Sequence, residues 1–489
     1  MKSLFTIALI LTGLAAHAQL GVKYDPTVQS TSTMQYFKPK GNLFVGDCIP
    51  FSRNGVYYYY WLLDSAHHKS LNGLGGHQWA LSKSSDLKHW EQFPLVLKID
   101  EEWEKSICTG SVVFYKGKYY AFYATRLINE GKVNEQLSYA VSEDGIHFEK
   151  QKPNPFYTSA PGYSKRNFRD PKVFVDKNGE FHLFVASDQE HPVMGVNSGC
   201  LVHLSSKDLK TWTVHDPILT GQKSTPECPD YFYWKGWYYL VYSDDSNTSY
   251  VKSRQPYGPW EEPRYQALDE DWANVVKTAS FKNDRRIAAA WVPSRRDGKD
   301  EMGEVFGGNS LFREVLQEPD GTLDTRFPAE MIPETGKPIK AEPELMFKAT
   351  RLAAGGVELN AGNGVASSRI SHIPQNVRIT MEVEPLGLNE ETGLLLKSDQ
   401  DGNSGYRLNL SANNQTVELG NTTVRGVAGL QHPFTIDLVI KDGILDADID
   451  HRRTIVNRTY DLKGDVIWLY AKHGKVRFKN IIIRPLKEE

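Results

Sequence analysis

The chain has 489 residues, with 57 Lys and Arg against 60 Asp and Glu and a formal net charge of −3 at pH 7. This length exceeds one ordinary hydrophobic core, so two domains are expected. The near-neutral balance, without any run of Lys and Arg, lacks the basic footprint of nucleic-acid binding, so we expect no such partner.

Residues 1–18 have the pattern of a cleavable export signal. Lys2 supplies the positive start, Leu4 to Leu14 is mostly apolar, and Ala16-His-Ala18 is a small-x-small cleavage site. No cysteine precedes Cys48, so no thiol lies near the cleavage site to carry a lipid. No later apolar run approaches the ~18 residues of a membrane span. We expect a periplasmic or secreted protein whose mature chain begins near Gln19.

Four cysteines are few for a disulfide scaffold of this size: Cys48, Cys108, Cys200 and Cys228. An oxidising compartment permits three possible pairings, but buried free thiols are favoured because a large chain needs no covalent staples. Their spacings fit no zinc pattern. We expect neither a metal nor a cofactor.

A repeated unit fills residues 19–335. A turn and an alternating aromatic or β-branched strand open at Gly55, Gly117, Gly179 and Gly236, with a weaker copy at Asn283-Asp284. A second signature, a strand ending in serine followed by a polar turn and an aromatic residue, begins at Ser82, Ser142 and Ser205, with a degenerate fourth copy at Ser253. Long helical periodicity is absent, so each unit predicts a four-stranded sheet. Five such units predict a five-bladed β-propeller.

The pattern changes after Pro333. Strands of period-2 alternation, such as Val377–Val383 and Phe434–Ile440, alternate with turn signals such as Lys441-Asp-Gly443. This predicts an antiparallel β-sandwich over residues 341–489. The predicted class is all-β, and the short proline-containing join predicts rigid packing of the two domains.

Three acids occupy one place in three of the repeated units. Asp170 and Glu227 each stand nine residues before the strand glycine of their unit, and Asp47 stands eight residues before Gly55. First strands of propeller blades line the central channel, so these acids should face one funnel. Two carboxyl groups flanking an anomeric carbon are what cleavage of a glycosidic bond requires.

A purely structural role stays open for these acids, since carboxylates also cap strand starts by accepting backbone N–H bonds. Capping does not explain why the equivalent place holds Thr109-Gly-Ser111 in the second unit and Asn274 in the fifth.

Several motifs resemble those of one enzyme family. Phe168-Arg-Asp-Pro171 and Glu227-Cys-Pro-Asp230 resemble the Arg-Asp-Pro and Glu-Cys motifs of glycoside hydrolase family 32, the invertase, levanase and inulinase β-fructosidases. Thr109–Val113 resembles that family's Ser-Gly-Ser-Ala-Val, and Gly307–Glu314 resembles the run that closes its propeller. The resemblance covers nearly the whole mature chain.

The resemblance implies a five-bladed propeller with a C-terminal sandwich and a retaining β-fructofuranosidase activity. It implies Asp47 as nucleophile, Glu227 as acid/base and Asp170 as a transition-state stabiliser that holds furanose hydroxyls. Arg169 and Cys228 would lie beside these acids.

The chain departs from the family at the nucleophile motif. The run Phe44–Pro50 keeps the aspartate but lacks the family's Trp, both Asn and the following Pro, and Leu62 stands near the expected glutamine. We expect Asp64, one of His67 and His68, or Gln78 to reach the pocket instead. For these histidines and His77 we favour hydrogen bonding or loop packing over metal binding. The full set of predicted substrate contacts is Arg169, Cys228, Asp64, His67, Gln78, Trp79, Thr109, Ser111, Asn274 and Trp291.

The predicted partner is therefore a carbohydrate substrate, either sucrose or a fructan oligosaccharide. Two alternatives stay open: a propeller glycosidase acting on another furanoside or a galactoside, and a non-catalytic carbohydrate-binding propeller. The oligomeric state is not predicted by any feature of the sequence.

Overall fold

The computed structural model describes residues 20–26, 33–192, 195–244, 247–265, 268, 272–353, 355–387 and 389–487. The export signal predicted over residues 1–18 lies outside these ranges. Within them the chain forms 33 β-strands, and helical structure is limited to short turns at Ser70–Gly73, Arg296–Gly298 and Ala329–Met331. No helix of the described residues is long and apolar enough to cross a membrane. The predicted all-β class is confirmed.

The strands up to Arg326 form repeated antiparallel units that we call blades one to five. Blade one contains β1 (Leu43–Arg53), β2 (Val56–Ser65), β3 (Gln78–Ser84) and β4 (Glu91–Leu97). Blade two contains β5 (Ser106–Tyr115), β6 (Lys118–Asn129), β7 (Lys132–Ser142) and β8 (Glu149–Lys150). Blade three contains β9 (Tyr163–Val175), β10 (Phe181–Gln189), β11 (Gly199–Ser206) and β12 (Thr213–Gln222). Blade four contains β13 (Glu227–Trp234), β14 (Trp237–Asp244) and β15 (Asn247–Ser253), and blade five contains β16 (Asn274–Phe281), β17 (Arg285–Arg295), β18 (Glu304–Gln317) and β19 (Leu323–Arg326).

The sheet topology is consistent with five blades. Blades two and three are separate four-stranded sheets, and blade four is a three-stranded sheet extended by a bridge between Lys252 and Glu261. Blades five and one are joined into one sheet through the pairing of Val45 with Gly308. The second strand of blade one, β2, is buried along both faces because each blade packs between two neighbours.

Each of the five inner strands contains a one-residue bulge at the same place. The ladder shifts between Val45 and Cys48 in β1, Ile107 and Gly110 in β5, Arg169 and Lys172 in β9, Glu227 and Asp230 in β13, and Asn274 and Lys277 in β16. A bulge bends its strand and re-aims the side chains at its site. The backbone takes positive φ there at Asp170 (54°), Cys228 (50°) and Val275 (47°). These bulges turn side chains of five blades toward one end of the central channel.

The remaining strands form a β-sandwich of two seven-stranded sheets. One sheet contains β20 (Glu344–Phe347), β23 (Val365–Ile370), β25 (Glu391–Ser398), β26 (Tyr406–Ser411), β27 (Thr416–Leu419), β28 (Thr422–Arg425) and β32 (Val466–Lys472). The other contains β21 (Ala349–Arg351), β22 (Val357–Asn360), β24 (Val377–Pro385), β29 (Phe434–Lys441), β30 (Ile444–Ile449), β31 (Arg453–Arg458) and β33 (Lys475–Pro485). Their inward-facing residues form one apolar core. We propose domain limits of 19–335 and 341–489, on either side of the join.

The propeller and the sandwich share a buried polar contact. Arg313 of β18 donates two hydrogen bonds of 2.8 Å to the carboxylate of Asp446 in β30, and Tyr36 donates a third at 2.7 Å. Both charged side chains are almost fully buried. Apolar residues of the sandwich, Val439 and Val456 among them, pack into the core of blades four and five around this pair.

Candidate active site

A cavity of about 590 Å³ lies at the bulged end of the channel. It is lined by eight residues that the sequence predicted as site residues: Asp47, Thr109, Arg169, Asp170, Glu227, Cys228, Asn274 and Trp291. His68, one of the two paired histidines expected at the pocket, lines it as well. Further lining residues that were not predicted as substrate contacts include Leu62, His77, Arg126, Glu135, Arg166, Asn167 and Phe306. The repeat offset of the acids thus corresponds to a shared position on the inner strands.

Asp47 lies in the bulge of β1 and is held from two neighbouring blades. Thr109 of blade two donates to its Oδ2 at 2.5 Å, and the indole of Trp291 in blade five donates to its Oδ1 at 3.1 Å. The thiol of Cys228, from blade four, lies 3.7 Å from the same Oδ2. Because both oxygens accept bonds from fixed donors, the carboxylate has a defined orientation toward the cavity.

Asp170 is almost fully buried beneath the cavity, on the bulge of β9. Its Oδ2 accepts the backbone N–H of Cys228 at 3.1 Å and lies 3.6 Å from Arg169 Nε. Burial raises the pKa of Asp170 to about 7; Arg169 opposes this rise, whereas the charges of Glu227 and Asp47 add to it. The carboxyl group therefore changes protonation near neutral pH.

The thiol of Cys228 lies between the carboxylates of Asp47 and Asp170. Its Sγ lies 3.7 Å from Oδ2 of both Asp47 and Asp170. Burial raises the pKa of the Cys228 thiol well above its usual range, and the Asp170 and Asp47 carboxylates raise it further. The thiol therefore stays protonated and serves as a weak donor to both acids.

Glu227 is half-exposed at the cavity mouth and is held by Arg169. Arg169 Nη2 donates to Glu227 Oε1 at 2.6 Å, and Nη1 donates to Glu135 Oε2 at 3.3 Å and to Asn167 Oδ1 at 2.7 Å. Glu135 also accepts two bonds from Arg126, at 2.8 and 3.2 Å. A run of alternating charges thus extends from blade two to the carboxyl group of Glu227.

Three predicted contact residues lie behind the cavity rather than in it. Trp79 is buried and donates to the carbonyl of Cys108 at 2.9 Å, and Ser111 bridges β5 and β9 through Pro171 O at 2.6 Å and Val173 N at 2.7 Å. Gln78 is buried too, with Nε2 donating to a carbonyl of the N-terminal segment at 2.8 Å. Trp79 and Ser111 support the inner strands that carry Thr109 and Asp170.

Asp64 and His67 also lie outside the lining of this cavity, whereas His68 belongs to it. Asp64 is fully buried, and its Oδ1 accepts from the backbone N–H of His68 at 2.8 Å and from His77 Nε2 at 3.1 Å. His67 stacks on Phe44 with ring centroids 3.8 Å apart and faces a second cavity. Of the two paired histidines, His68 is the one that lines the cavity of the acid cluster.

The side chains of Asp64, His68 and His77 lie close enough together to be considered as ion ligands, with one ligand atom of each within 4.8 Å of the others. Two features explain the group as a hydrogen-bonded network instead. Oδ1 of Asp64 already accepts two bonds. The guanidinium of Arg126 donates to His68 Nε2 at 2.8 Å, and its charge opposes a cation there. Burial lowers the pKa of His68 to about 4, with His77 and Arg126 lowering it further.

Arg126 and Glu135 are two of the cavity residues that were not predicted from the sequence. They are direct cross-strand partners in β6 and β7. The turn between them is Glu130-Gly131, with positive φ at both residues (52° and 73°), as in a type I′ hairpin. This turn fixes the register, so opposite charges four residues before and four residues after it were a signal that could have revealed the pair.

The comparison with known families agrees with this architecture. The family model described as the glycosyl hydrolases family 32 N-terminal domain matches residues 37–321. The chain therefore belongs to glycoside hydrolase family 32, which confirms the resemblance drawn from the motifs. A curated relative, the sucrose-6-phosphate hydrolase of Escherichia coli, is 27% identical over 282 residues. These residues are 53% of this chain and 57% of that protein, so the chain spans a little over half the relative's length.

Two solved structures have the same overall fold. Fructan 1-exohydrolase IIa from Cichorium intybus aligns with a TM-score of 0.70 at 14% identity, covering 94% of this chain and 97% of that one. Sucrose-6-phosphate hydrolase from Lactobacillus gasseri aligns with a TM-score of 0.68 at 14% identity, covering 93% of each chain. At this identity the likeness concerns the fold, a propeller followed by a β-sandwich.

Proposed function

We propose that this protein hydrolyses β-fructofuranosidic bonds, in sucrose or in fructan oligosaccharides, through a covalent glycosyl-enzyme intermediate. The observation that carries the proposal is the convergence of Asp47, Asp170 and Glu227 in one cavity of a family 32 chain. The relatives named above support a fructoside as the substrate, because their names are those of sucrose-6-phosphate and fructan hydrolases.

In the first step, Asp47 attacks the anomeric carbon while Glu227 gives a proton to the leaving oxygen. The two donors on Asp47, Thr109 and Trp291, keep its carboxylate aimed at the reacting carbon. In the second step, Glu227 takes a proton from water, which attacks the same carbon and releases the sugar. Configuration is retained because the carbon is inverted twice.

Asp170 and Arg169 are assigned to substrate positioning. Asp170 lies deepest in the cluster, where a carboxylate can accept bonds from two sugar hydroxyls. Arg169 links Asp170 to Glu227, so it keeps the stabilising acid and the acid/base at a fixed separation. A double displacement requires Asp47 and Glu227 carboxyl groups about 5–5.5 Å apart.

The experiment is sugar release from sucrose, inulin, levan and aryl β-fructofuranosides, with the first anomer identified by rapid NMR. We expect β-fructofuranose as the first product. Release of the inverted anomer would contradict the double displacement, and the absence of turnover on the whole panel and on other furanosides would favour a carbohydrate-binding module.

A second candidate is a glycosidase acting on another furanoside or a galactoside. It is favoured by the blade-one wall of the cavity, where Leu62, His68 and His77 stand in place of an amide side chain. Turnover of a galactoside or arabinofuranoside, with none of fructosides, would select this candidate.

We further propose that the protein is exported and cleaved after Ala18. The support is the sequence pattern of residues 1–18. N-terminal sequencing of the protein from the periplasm or medium is expected to give Gln19, and an intact Met1 in the cytoplasm would contradict export.

A further inference from the structure

A second cavity, of about 520 Å³, lies where the propeller meets the sandwich. Its walls come from the segment before β1, from the end of β17 and from the ends of β29 and β31 in the sandwich. It shares none of its lining residues with the catalytic cavity. The wall between the two is formed where His67 Nδ1 donates to the carbonyl of Phe306 at 2.9 Å.

The side chains around this cavity are mainly cationic. Lys38, Arg295, Lys441 and Arg458 line it, against one carboxylate, Asp442. Four positive charges and one negative charge leave a formal net charge of +3 when His67 is neutral. The whole chain carries −3, so this concentration of positive charge is local.

Arg458 is the clearest case, because it is buried and, among the described residues, no carboxylate lies within ion-pair distance of it. Its side chain is 3% exposed. Nε donates to Pro293 O at 3.1 Å, and Nη2 donates to Val292 O at 3.2 Å and Asn309 Oδ1 at 2.5 Å. All three acceptors are neutral, and Nη1 has no partner among the described residues of the chain.

Arg295 and Lys38 repeat this arrangement. Arg295 is 7% exposed and donates to the carbonyls of Arg458, Asp300 and Met302 and to the amide of Asn457. Lys38 donates to the carbonyls of Pro39 and Gly41. In the part of the chain that the structure describes, no carboxylate lies within ion-pair distance of any of these three cations. The buried Arg313 nearby has the opposite arrangement, with both charged nitrogens on Asp446.

Burying a charge without a partner is costly, and buried ions in proteins are ordinarily paired. Burial lowers the pKa of Lys38, Arg295 and Arg458; repulsion from Arg458 adds to the effect on Lys38, whereas Tyr460 and Asp442 oppose it at Arg458 and Asp300 opposes it at Arg295. A bound anion would remove this unfavourable state. Guanidinium groups suit oxyanions because they present planar pairs of N–H donors.

The size and walls of the cavity indicate more than a simple oxyanion. Its volume falls within the ~300–1,000 Å³ of small-molecule sites. Phe37 and Tyr460, both partly exposed, provide aromatic surface in the cavity, whereas Phe44 is buried, with His67 stacked on it and Lys38 Nζ 4.5 Å from its ring centre. Aromatic rings beside hydrogen-bonding groups accommodate the apolar face of a sugar ring.

We propose that this second cavity binds an anionic sugar, with its phosphate, sulfate or carboxylate group on Arg458, Arg295 and Lys38 and its ring against Tyr460. This site is separate from the catalytic acids and does not depend on which glycoside they cleave. The three anionic groups share one chemistry, and the experiment distinguishes them.

The test is isothermal titration calorimetry of the full chain with glucose 6-phosphate, glucose 6-sulfate, glucuronate and glucose. We expect saturable binding of at least one anionic sugar and none of glucose at the same concentrations. Lys38→Gln should weaken that binding about tenfold, because it removes one charge-assisted contact. Lys40→Gln, an exposed lysine two residues away, should leave it unchanged.

Lys38 is only half-buried and bonds to two loop carbonyls, so Lys38→Gln should fold even if Arg458→Gln does not. The absence of binding by all three anionic sugars would overturn the proposal, as would equal binding of glucose. Binding that is lost in Arg169→Gln and kept in Lys38→Gln would place the anion in the catalytic cavity, which would also overturn it.

Discussion

The guanidinium of Arg169 lies 2.6 Å from the carboxyl group of Glu227. This contact joins the third blade to the fourth across the cavity mouth. It places the acid/base of the proposed mechanism under the control of a charge network that begins at Glu135 and Arg126. The bond uses Oε1 of Glu227, so in the proposed mechanism the other carboxyl oxygen is the one that carries the proton for the leaving group.

The two carboxyl groups assigned to chemistry should respond differently to removal. Asp47→Ala should lower kcat by about 10⁴-fold or more on every substrate, since no nucleophile remains. Glu227→Ala should lower kcat about 10²–10⁴-fold on sucrose but far less on aryl fructosides, whose leaving groups need little protonation. Initial rates on both substrates check this, with Glu149→Ala, an exposed acid at the edge of blade two, as the control. Ordinary activity of Asp47→Ala would refute the assignment.

Glu135 should matter to catalysis although it lies beyond Glu227. Glu135→Gln removes the charge between Arg126 and Arg169, so Arg169 loses its anchor and Glu227 shifts. We expect kcat/KM to fall about 10–100-fold, the effect of a small misplacement of a catalytic group.

Glu314→Gln is a matched control for that variant. Glu314 is a buried acid between two arginines, Arg285 and Arg326, remote from the cavity. Both variants should lose stability, and only Glu135→Gln should lose activity. Equal kcat/KM in the two variants would show that Glu135 is merely structural.

The protonation of Asp170 should make stability depend on pH. Its pKa is about 7 in the folded protein and ~3.9 when unfolded. Between these values the native state holds a proton that the unfolded state has released, so the free energy of unfolding falls as pH rises from about 4 to 7. The side chain in Asp170→Asn cannot release a proton. The free energy of unfolding of this variant relative to wild type should therefore rise by about 1–4 kcal/mol between pH 4.5 and pH 8. Urea unfolding at the two pH values measures the gain, and a pH-independent difference would contradict it.

Trp79 should act on catalysis through the strand it supports. Trp79→Phe leaves the carbonyl of Cys108 without its donor, at a cost of about 1–3 kcal/mol. The adjacent Thr109 should then hold Asp47 less firmly, so kcat should fall. Trp90→Phe removes a similar buried indole bond, to Leu87 O, away from the cavity. We expect both variants to lose stability in urea unfolding, with a fall in kcat for Trp79→Phe alone.

The buried pair between the domains should couple their stabilities. Asp446→Ala removes the carboxylate that pairs with the buried Arg313, at a cost of about 3–5 kcal/mol. Because Arg313 belongs to blade five, the propeller should unfold at lower urea concentration although the substitution lies in the sandwich. Tryptophan fluorescence follows the propeller, which contains most of the indoles. An unchanged propeller transition would show that the sandwich does not stabilise it.

The sequence predicted the architecture and the acids because both depend on local repetition. The strand glycines mark the blades, and Asp47, Asp170 and Glu227 occupy the equivalent bulges of three inner strands. Their similar distance from the strand glycine of each unit can be read directly from the sequence. The offset of Asp47 differs by one residue, and it lies in the bulge all the same.

The burial of Asp64 could not be predicted in this way. A pocket role was expected because Asp64 lies in the segment that stands in place of the family's glutamine for sugar contact. In the structure Gly307, far along the chain, lies so close that a Cβ there would stand 2.9 Å from Asp64 Oδ2. Only the return of the last blade against the first encloses this carboxylate. Such a contact between distant segments has no local signal in the sequence.

The common bulge of the five inner strands sets the path of the backbone around the funnel, whereas the residues at the bulges set its chemistry. Five blades present one position each, and the occupants here include acids in three blades, Thr109 in the second and Asn274 in the fifth. A different residue at any of these positions changes the charge around the funnel while the path of the strands is unchanged. A propeller of this kind can acquire, lose or exchange an activity by point substitution at these positions, while its backbone stays the same.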